Sequence, residues 1–151
     1  MRIVVISDTH AQSLSEIPAA IVNALGKADL IVHAGDFTAK AVLDELRLVG
    51  SVKAVAGNMD SAEVKKALPP QELFVINGKK IGLVHGWGAP WGIAHRVREQ
   101  FDDVDIIIYG HSHQPDNQYV RGSLLFNPGQ AKNSFGLLTI SDKITAEIIR
   151  V

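Results

Sequence analysis

Seven residues stand out by chemical type and by place: Asp8, His10, Asp36, Asn58, His85, His111 and His113. All are nitrogen or oxygen donors. Each lies in a short polar segment that closely follows an apolar run. The segments are Ser7-Asp8-Thr9-His10, Gly35-Asp36, Gly57-Asn58-Met59-Asp60, His85-Gly86 and Gly110-His111-Ser112-His113. Taken singly, each has a plain structural reading, because Gly-Asp and Gly-Asn are ordinary turn chemistry. His111 and His113 say more, since residues two apart in an extended chain project to the same side. Two imidazoles so placed suit a metal and repel each other when both are protonated. Together the seven form a donor set for Zn, Mn, Fe or Ni. They exceed the needs of one tetrahedral ion and suit two ions with one shared carboxylate.

The apolar runs supply the frame. Met1 to Ile6 is β-branched, so a strand begins almost at residue one. The run is too short for a signal-peptide core, which predicts a cytoplasmic protein. A helix is predicted over 15–25, with Ser15 as cap, Pro18 in the first turn and Gly26 after the end. A short strand follows at 30–32, then a helix capped by Thr38 and running to Val49, then a strand over 52–56. The order β-α-β-α-β favours parallel strands. Pro69-Pro70 breaks the chain. Strands over 72–76 and 80–84 flank Asn77-Gly78, a type I′ hairpin signal. A helix over 91–101 and a buried strand over 104–109 come next. The remainder is strand-rich, at 118–126, 134–141 and 143–150, with a turn at Ser141-Asp142. Ligands of open α/β sheets bind beyond the carboxyl ends of strands. All seven donors sit at such ends.

Composition narrows the classes. The chain has 151 residues and no cysteine, which excludes disulfides and thiolate zinc sites. It shows no repeat, linker or low-complexity segment, so one domain over 1–151 is expected. Lys plus Arg is 15 and Asp plus Glu is 16, for a net charge of −1. That balance argues against a nucleic-acid binder driven by bulk charge. No apolar run approaches ~18 residues, so no membrane helix is expected. Charged residues are only 21%, which is compatible with a homo-oligomer.

In the order D-x-H, G-D, G-N, H and G-H-x-H, the five segments resemble the calcineurin-like metallophosphoesterase family. Gln114-Pro115 and Asn127-Pro128-Gly129 are similar to its compact bacterial and archaeal phosphodiesterase branch. The resemblance covers residues 1 to about 132. It implies a two-sheet β sandwich flanked by helices, an α+β arrangement in four layers αββα. It implies that Asp8, His10, Asp36 and His113 hold one divalent ion, and Asp36, Asn58, His85 and His111 a second, with Asp36 bridging. Manganese is the first expectation, with Fe, Ni or Zn as alternatives. The implied activity is phosphodiester hydrolysis by a hydroxide shared between the ions, which needs no side-chain base. Asp36 and Asn58 are then the catalytic pair, and the Asn58 amide can also bind a phosphate oxygen of a small diester.

One position departs from the family pattern. Many members carry a histidine after Gly-Asn that contacts phosphate and helps to protonate the leaving group. Met59 stands there and can do neither job, since a thioether is only a weak acceptor. General acid catalysis is worth ~10²–10⁴-fold, so diesters or activated esters are expected as substrates. The rival readings are a phosphomonoesterase or nucleotide hydrolase, and a non-catalytic protein-binding scaffold like the retromer subunit on this fold.

The remaining candidates have plainer readings. His33 is expected to be buried and hydrogen-bonded, and His95, beside Arg96, Arg98 and Glu99, on a solvated surface. Trp87 and Trp91 are expected to pack under a loop, with an apolar lip for a base or aryl group as the alternative. Asn127-Pro128-Gly129 reads as a turn, and Lys65-Lys66 and Lys79-Lys80 as solvated. Asp60 either orients a neighbour or closes a turn.

Overall fold

The computed structural model describes residues 1–151. The opening β-branched run forms β1, Arg2–Ile6. It pairs in parallel with β2, Leu30–His33, which pairs in parallel with β3, Val52–Ala54. On its other edge β1 meets β9, Ser134–Ile140, in antiparallel register with Val5 opposite Gly136, and β10, Ile144–Arg150, closes this sheet. The second sheet has the order β4-β5-β6-β8-β7. Its strands are Gln71–Ile76, Lys79–Val84, Ile106–Ile108, Ser123–Asn127 and Asp116–Val120 in that order. Strands β5, β6 and β8 run parallel. Each sheet thus carries three parallel strands, whose carboxyl ends can be set side by side.

Burial on both faces follows from alternation. Ile3 and Val5 point between the sheets, where they join Val32, Ile81, Leu83, Ile106, Ile108 and Phe126. Val4 and Ile6 point outward under α1, Ala19–Leu25, α2, Lys40–Val49, and α3, Ala62–Ala67. The outer face of the second sheet, from Ile107 and Leu125, packs on Val97 and Phe101 around α4, Ile93–Arg98. Three apolar interiors separate four layers, αββα, as the sequence pattern implies.

Several expected elements are reshaped, each for a local reason. The helix over 15–25 is split. A 3₁₀ turn at Leu14–Glu16 is capped by Ser13, not Ser15, and α1 starts after Pro18. Ile17 is extended, with φ −99° and ψ 159°, because a residue before proline avoids the helical region. Thr38 is no cap: it has φ 78°, and α2 begins two residues later behind Ala39. Helix α3 was not anticipated. It is short, buries only Val64, and is capped by the Ser61 hydroxyl on the Val64 N–H. The strand over 118–126 is a hairpin that turns at Arg121-Gly122, with φ 48° and 82°. Asn77-Gly78 turns in the same way, with φ 49° and 80°, but the arginine hides the signal. The helix over 91–101 shortens to α4, because Gly92 is left-handed at φ 74°. The strands over 52–56 and 104–109 shorten to β3 and β6.

The sheets approach closely at Gly136. A Cβ there would lie 2.3 Å and 2.6 Å from ring carbons of buried Phe126 across the interface. Overpacking of this kind costs ~1–3 kcal/mol. Gly136→Ala is therefore expected to lower stability by about that amount in urea unfolding. Adding Phe126→Leu should restore part of it, whereas simple additivity of the two losses would refute the contact.

Candidate metal centre

Five of the seven donors sit on left-handed backbone: Asp8, His10, Asp36, His111 and His113 have φ of 53°, 45°, 64°, 70° and 62°. Such values are uncommon outside glycine, and Asn, Asp and His are the other residues that adopt them most often. They fold each loop sharply back over its strand end. The loops are laced together by main-chain bonds, Asp8 N–H to the Gly35 carbonyl at 2.9 Å and His10 N–H to the Asp36 carbonyl at 3.2 Å. The glycines admit this crowding. A Cβ on Gly57 would fall 2.1 Å from Asp36 Oδ1, and one on Gly110 would fall 2.0 Å from Ser7 Oγ.

All seven donors converge. Asp8 Oδ1 lies 3.3 Å from His113 Nε2, 3.8 Å from His10 Nε2 and 3.9 Å from His85 Nε2. Asp36 Oδ2 lies 3.2 Å from His85 Nε2 and 3.9 Å from His10 Nε2. His10 and His113 face each other through Nε2 atoms 3.4 Å apart. Asn58 Oδ1 and His111 Nδ1 are 3.3 Å apart. Two compact groups result: Asp8, His10 and His113, and Asp8, Asp36 and His85. Asp8 reaches both, as Asp36 does through His10 and His85.

The donors are held from behind. Ser7 Oγ–H and the His111 N–H both bind Asp8 Oδ2, at 2.7 Å and 3.2 Å, which leaves Oδ1 bare. The Met59 N–H binds Asp36 Oδ1 at 2.8 Å. His85 Nδ1–H donates to the Ala34 carbonyl at 2.7 Å and His111 Nε2–H to the Gly88 carbonyl at 2.9 Å. Thr38 Oγ1 lies 3.5 Å from His10 Nδ1. The rear nitrogen of each of these rings is engaged, so its other nitrogen faces the centre. None of Ser7, Ala34, Thr38 and Gly88 is assigned a role at the centre by the sequence. Backbone carbonyls carry no side-chain signal, and Thr38 looked like a helix cap.

A cation fits this arrangement. Asp8 Oδ1 and His85 Nε2 are fully buried and have no hydrogen-bond partner. Buried polar groups left unpaired are costly. With His111 Nε2–H given to Gly88, His111 Nδ1 and Asn58 Oδ1 face each other at 3.3 Å as two acceptors, which a shared cation would satisfy. Without an ion the carboxylates are pushed apart. Burial raises the pKa of Asp8, with only partial relief from His85 and His113 and with Asp36 repelling. Burial opposes Asp36 too, but His85, the Met59 N–H and His10 outweigh it and hold the carboxyl below its ordinary range. Burial likewise disfavours a charged His85, yet Asp36 and Asp8 overcome it and raise its pKa.

Two residues outside the set shape it. The Asp60 carboxylate accepts four main-chain N–H groups: Asp36 at 2.9 Å and Gly57 at 2.7 Å on Oδ2, Phe37 at 2.7 Å and Thr38 at 3.0 Å on Oδ1. It therefore orients the Asp36 loop as well as closing its own turn. His33 is buried, as expected. It accepts from Gly35 N–H at Nδ1 (3.0 Å), so Nε2–H donates to Thr9 Oγ1 (3.2 Å), whose hydroxyl reaches the Asp36 carbonyl. Its ring stacks on Phe37 at 3.6 Å. Burial, with the charge of His85, holds its pKa down to about 3. Asn127 is more than a turn residue. It is buried, and its Nδ2 donates to the Gly110 carbonyl and Ser112 Oγ, both at 3.1 Å, which pins the His111 loop.

The tryptophans correct the packing expectation. Trp87 is 44% and Trp91 80% exposed. The space inside their loop belongs to Arg96, whose guanidinium donates to the carbonyls of Trp87, Ala89 and Trp91. Arg98 similarly binds the Phe101 and Val120 carbonyls, so both arginines are structural while His95 stays exposed. Lys65 reaches the Asn58 carbonyl at 3.4 Å.

Residues 1–143 match the model of the calcineurin-like phosphoesterase superfamily domain. This chain belongs to that superfamily. It is 38% identical to a probable metallophosphoesterase of Methanocaldococcus jannaschii, over all of this chain and 82% of that protein. A probable metallophosphoesterase of Methanothermobacter thermautotrophicus is also 38% identical, over 99% of this chain and 92% of the relative. Among solved structures, Entamoeba histolytica Vps29 complexed with Zn²⁺ aligns with a TM-score of 0.76 and 28% identity over 99% of both chains. An archaeal phosphodiesterase shares the fold, with a TM-score of 0.81 and 23% identity over the full length of both. No helix is long and apolar enough to cross a membrane.

Two outcomes are expected. Asp60→Asn replaces one acceptor oxygen by a donor facing N–H groups. It should weaken Mn²⁺ binding ~10–100-fold in calorimetric titration, and unchanged affinity would reject the clamp. His33 stays neutral when folded, whereas unfolded chains protonate near pH 6.5. Its contribution is therefore complete above about pH 6.5 and is lost as pH falls toward about 3, by up to ~1.4 kcal/mol per pH unit. In urea unfolding of the metal-free protein, His33→Gln should flatten this acid limb. Parallel pH profiles would show that the histidine does not carry it.

Proposed function

We propose that this chain is a metal-dependent phosphodiesterase. The observation that carries the reading is the pair of buried atoms without partners, Asp8 Oδ1 and His85 Nε2, 3.9 Å apart among further donors. Asp8, His10 and His113 would hold one divalent ion and Asn58, His85 and His111 a second, with Asp36 shared. That the related Vps29 was solved as a Zn²⁺ complex supports metal binding; manganese remains the first candidate here, with iron, nickel or zinc as alternatives. Divalent ions held there would polarise a phosphoryl group and acidify water.

The chain's own residues do the rest. The rear hydrogen bonds on Asp8, Asp36, His85 and His111 fix the donors before anything binds, so little reorganisation is left for the reaction. Asn58 stands at the mouth with its amide toward the centre, where it can bind a phosphate oxygen. Met59 beside it is 61% exposed and has no proton to give. The leaving group must therefore depart without an acid from this position, which favours diesters of good leaving groups over alkyl monoesters.

A second reading is a protein-binding scaffold, favoured by the Vps29 likeness alone. Loading with Mn²⁺ separates the two. The proposal expects one to two ions per chain by elemental analysis and hydrolysis of bis(p-nitrophenyl) phosphate. Fewer than one ion with no hydrolysis would sink it. Faster turnover of an alkyl phosphomonoester than of the aryl diester would reject the diester preference. Asp36→Asn should abolish turnover while the circular dichroism spectrum is retained; full activity would reject the site assignment.

A further inference from the structure

The loop over 86–91 connects two donors of the centre. It leaves the end of β5 directly after His85, and its Gly88 carbonyl accepts the Nε2–H of His111 at 2.9 Å. The loop does not hold itself together. None of its main-chain groups bonds to another main-chain group. Apart from the bond to His111, all its hydrogen bonds come from one side chain, Arg96 of α4.

The guanidinium is a fork set among carbonyls. Nε and Nη2 donate to Trp87 at 3.2 Å and 2.9 Å, Nη2 also to Ala89, and Nη1 to Trp91 at 3.1 Å. The carbonyls on both sides of Gly88 therefore turn in to Arg96, while that of Gly88 turns away to His111. Gly88 permits the reversal. Its φ is 83°, and a Cβ there would lie 3.2 Å from Arg96 Nη2. With both neighbours held, the Gly88 carbonyl keeps its place behind the imidazole. A histidine that donates from its rear nitrogen leaves the other nitrogen bare and its tautomer fixed. In His111 the bare atom is Nδ1, which faces Asn58 Oδ1 at 3.3 Å. Arg98 supplies a comparison within the same helix. It too donates four hydrogen bonds to carbonyls, those of Phe101, Asp102, Val120 and Arg121. None of these carbonyls touches a donor of the centre.

We propose that Arg96 is a positioning residue of the metal centre, acting on His111 through the Gly88 carbonyl. It touches neither ion nor substrate. Its charge-assisted bonds make the loop stiff enough to aim a ligand, and outer partners of this kind tune metal affinity. A lysine carries the same charge but has no planar fork, so it cannot hold three carbonyls in one plane. The inference rests on the metal-dependent reading for its effect on an ion, but the hold on His111 is independent of that reading.

The test compares Arg96→Ala, Arg96→Lys and Arg98→Ala in the full chain, each checked for a native circular dichroism spectrum. The first measurement is made without metal, by NMR of the His111 ring nitrogens. Their chemical shifts should lie far apart in the wild type, as one fixed tautomer requires. They should draw together in Arg96→Ala and stay apart in Arg98→Ala. The second measurement is calorimetric titration with Mn²⁺ alone. Affinity should fall ~10-fold in Arg96→Ala and stay unchanged in Arg98→Ala, with Arg96→Lys between wild type and alanine in both measurements. If Arg96→Ala loses the native spectrum, Arg96→Lys decides on the same criteria. His111 shifts that respond to Arg96 in a protein that takes up no Mn²⁺ support the hold on His111, and the metal-dependent reading alone fails. In a protein that binds Mn²⁺, either change without the other overturns the proposal. A match between the Arg96 and Arg98 variants in both measurements overturns it as well.

Discussion

Four backbone N–H groups, from Asp36, Phe37, Thr38 and Gly57, converge on the carboxylate of Asp60 at 2.7–3.0 Å. Three of them are consecutive, and consecutive amides point one way only on an unusual backbone. Asp36 and Thr38 provide it with φ of 64° and 78°, values that a threonine in particular adopts at a cost. A buried charge offsets that cost because charge-assisted hydrogen bonds are strong. The arrangement is reciprocal. Asp60 holds the main chain of Asp36, and the side chain of Asp36 accepts the N–H of Met59 at 2.8 Å. Each loop thus fixes the other, and the carboxylate that reaches both sides of the centre has no freedom to retreat from it.

The sheets make this clamp useful. With three parallel strands in each, the carboxyl ends of β1, β2, β3, β5 and β6 meet along one edge of the sandwich. Residues more than a hundred positions apart then face each other within 4 Å. A close sheet-to-sheet approach is part of the geometry, which is why the Gly136 contact with Phe126 belongs to the same design as the site. The apolar interiors on the outer faces keep the strand ends in register without contributing any donor.

The framework was largely legible because its signals are local. β-branched runs marked the strands, Asn77-Gly78 marked a hairpin, and the five polar segments marked the loops that meet. The donors' convergence was legible only as an ordered set, since each segment alone reads as a turn. What escaped was set by the third dimension. Arg121-Gly122 turns a hairpin with no asparagine to announce it. Thr38 had the type and place of a cap, but the Asp60 clamp drew it into a left-handed conformation. The indoles of Trp87 and Trp91 were expected inside their loop, and a guanidinium from α4 occupies that space. The carbonyls that fix His85 and His111 have no sequence signature at all.

The left-handed donors have a wider meaning. Five positions in one small volume hold Asp or His where glycine would relax the chain. A library of variants sorted only for resistance to unfolding should therefore enrich glycine at these places and erode the donor set. The centre is where the requirements of folding and of chemistry pull in opposite directions. A thermostability screen run with no metal in the medium would dismantle the site first.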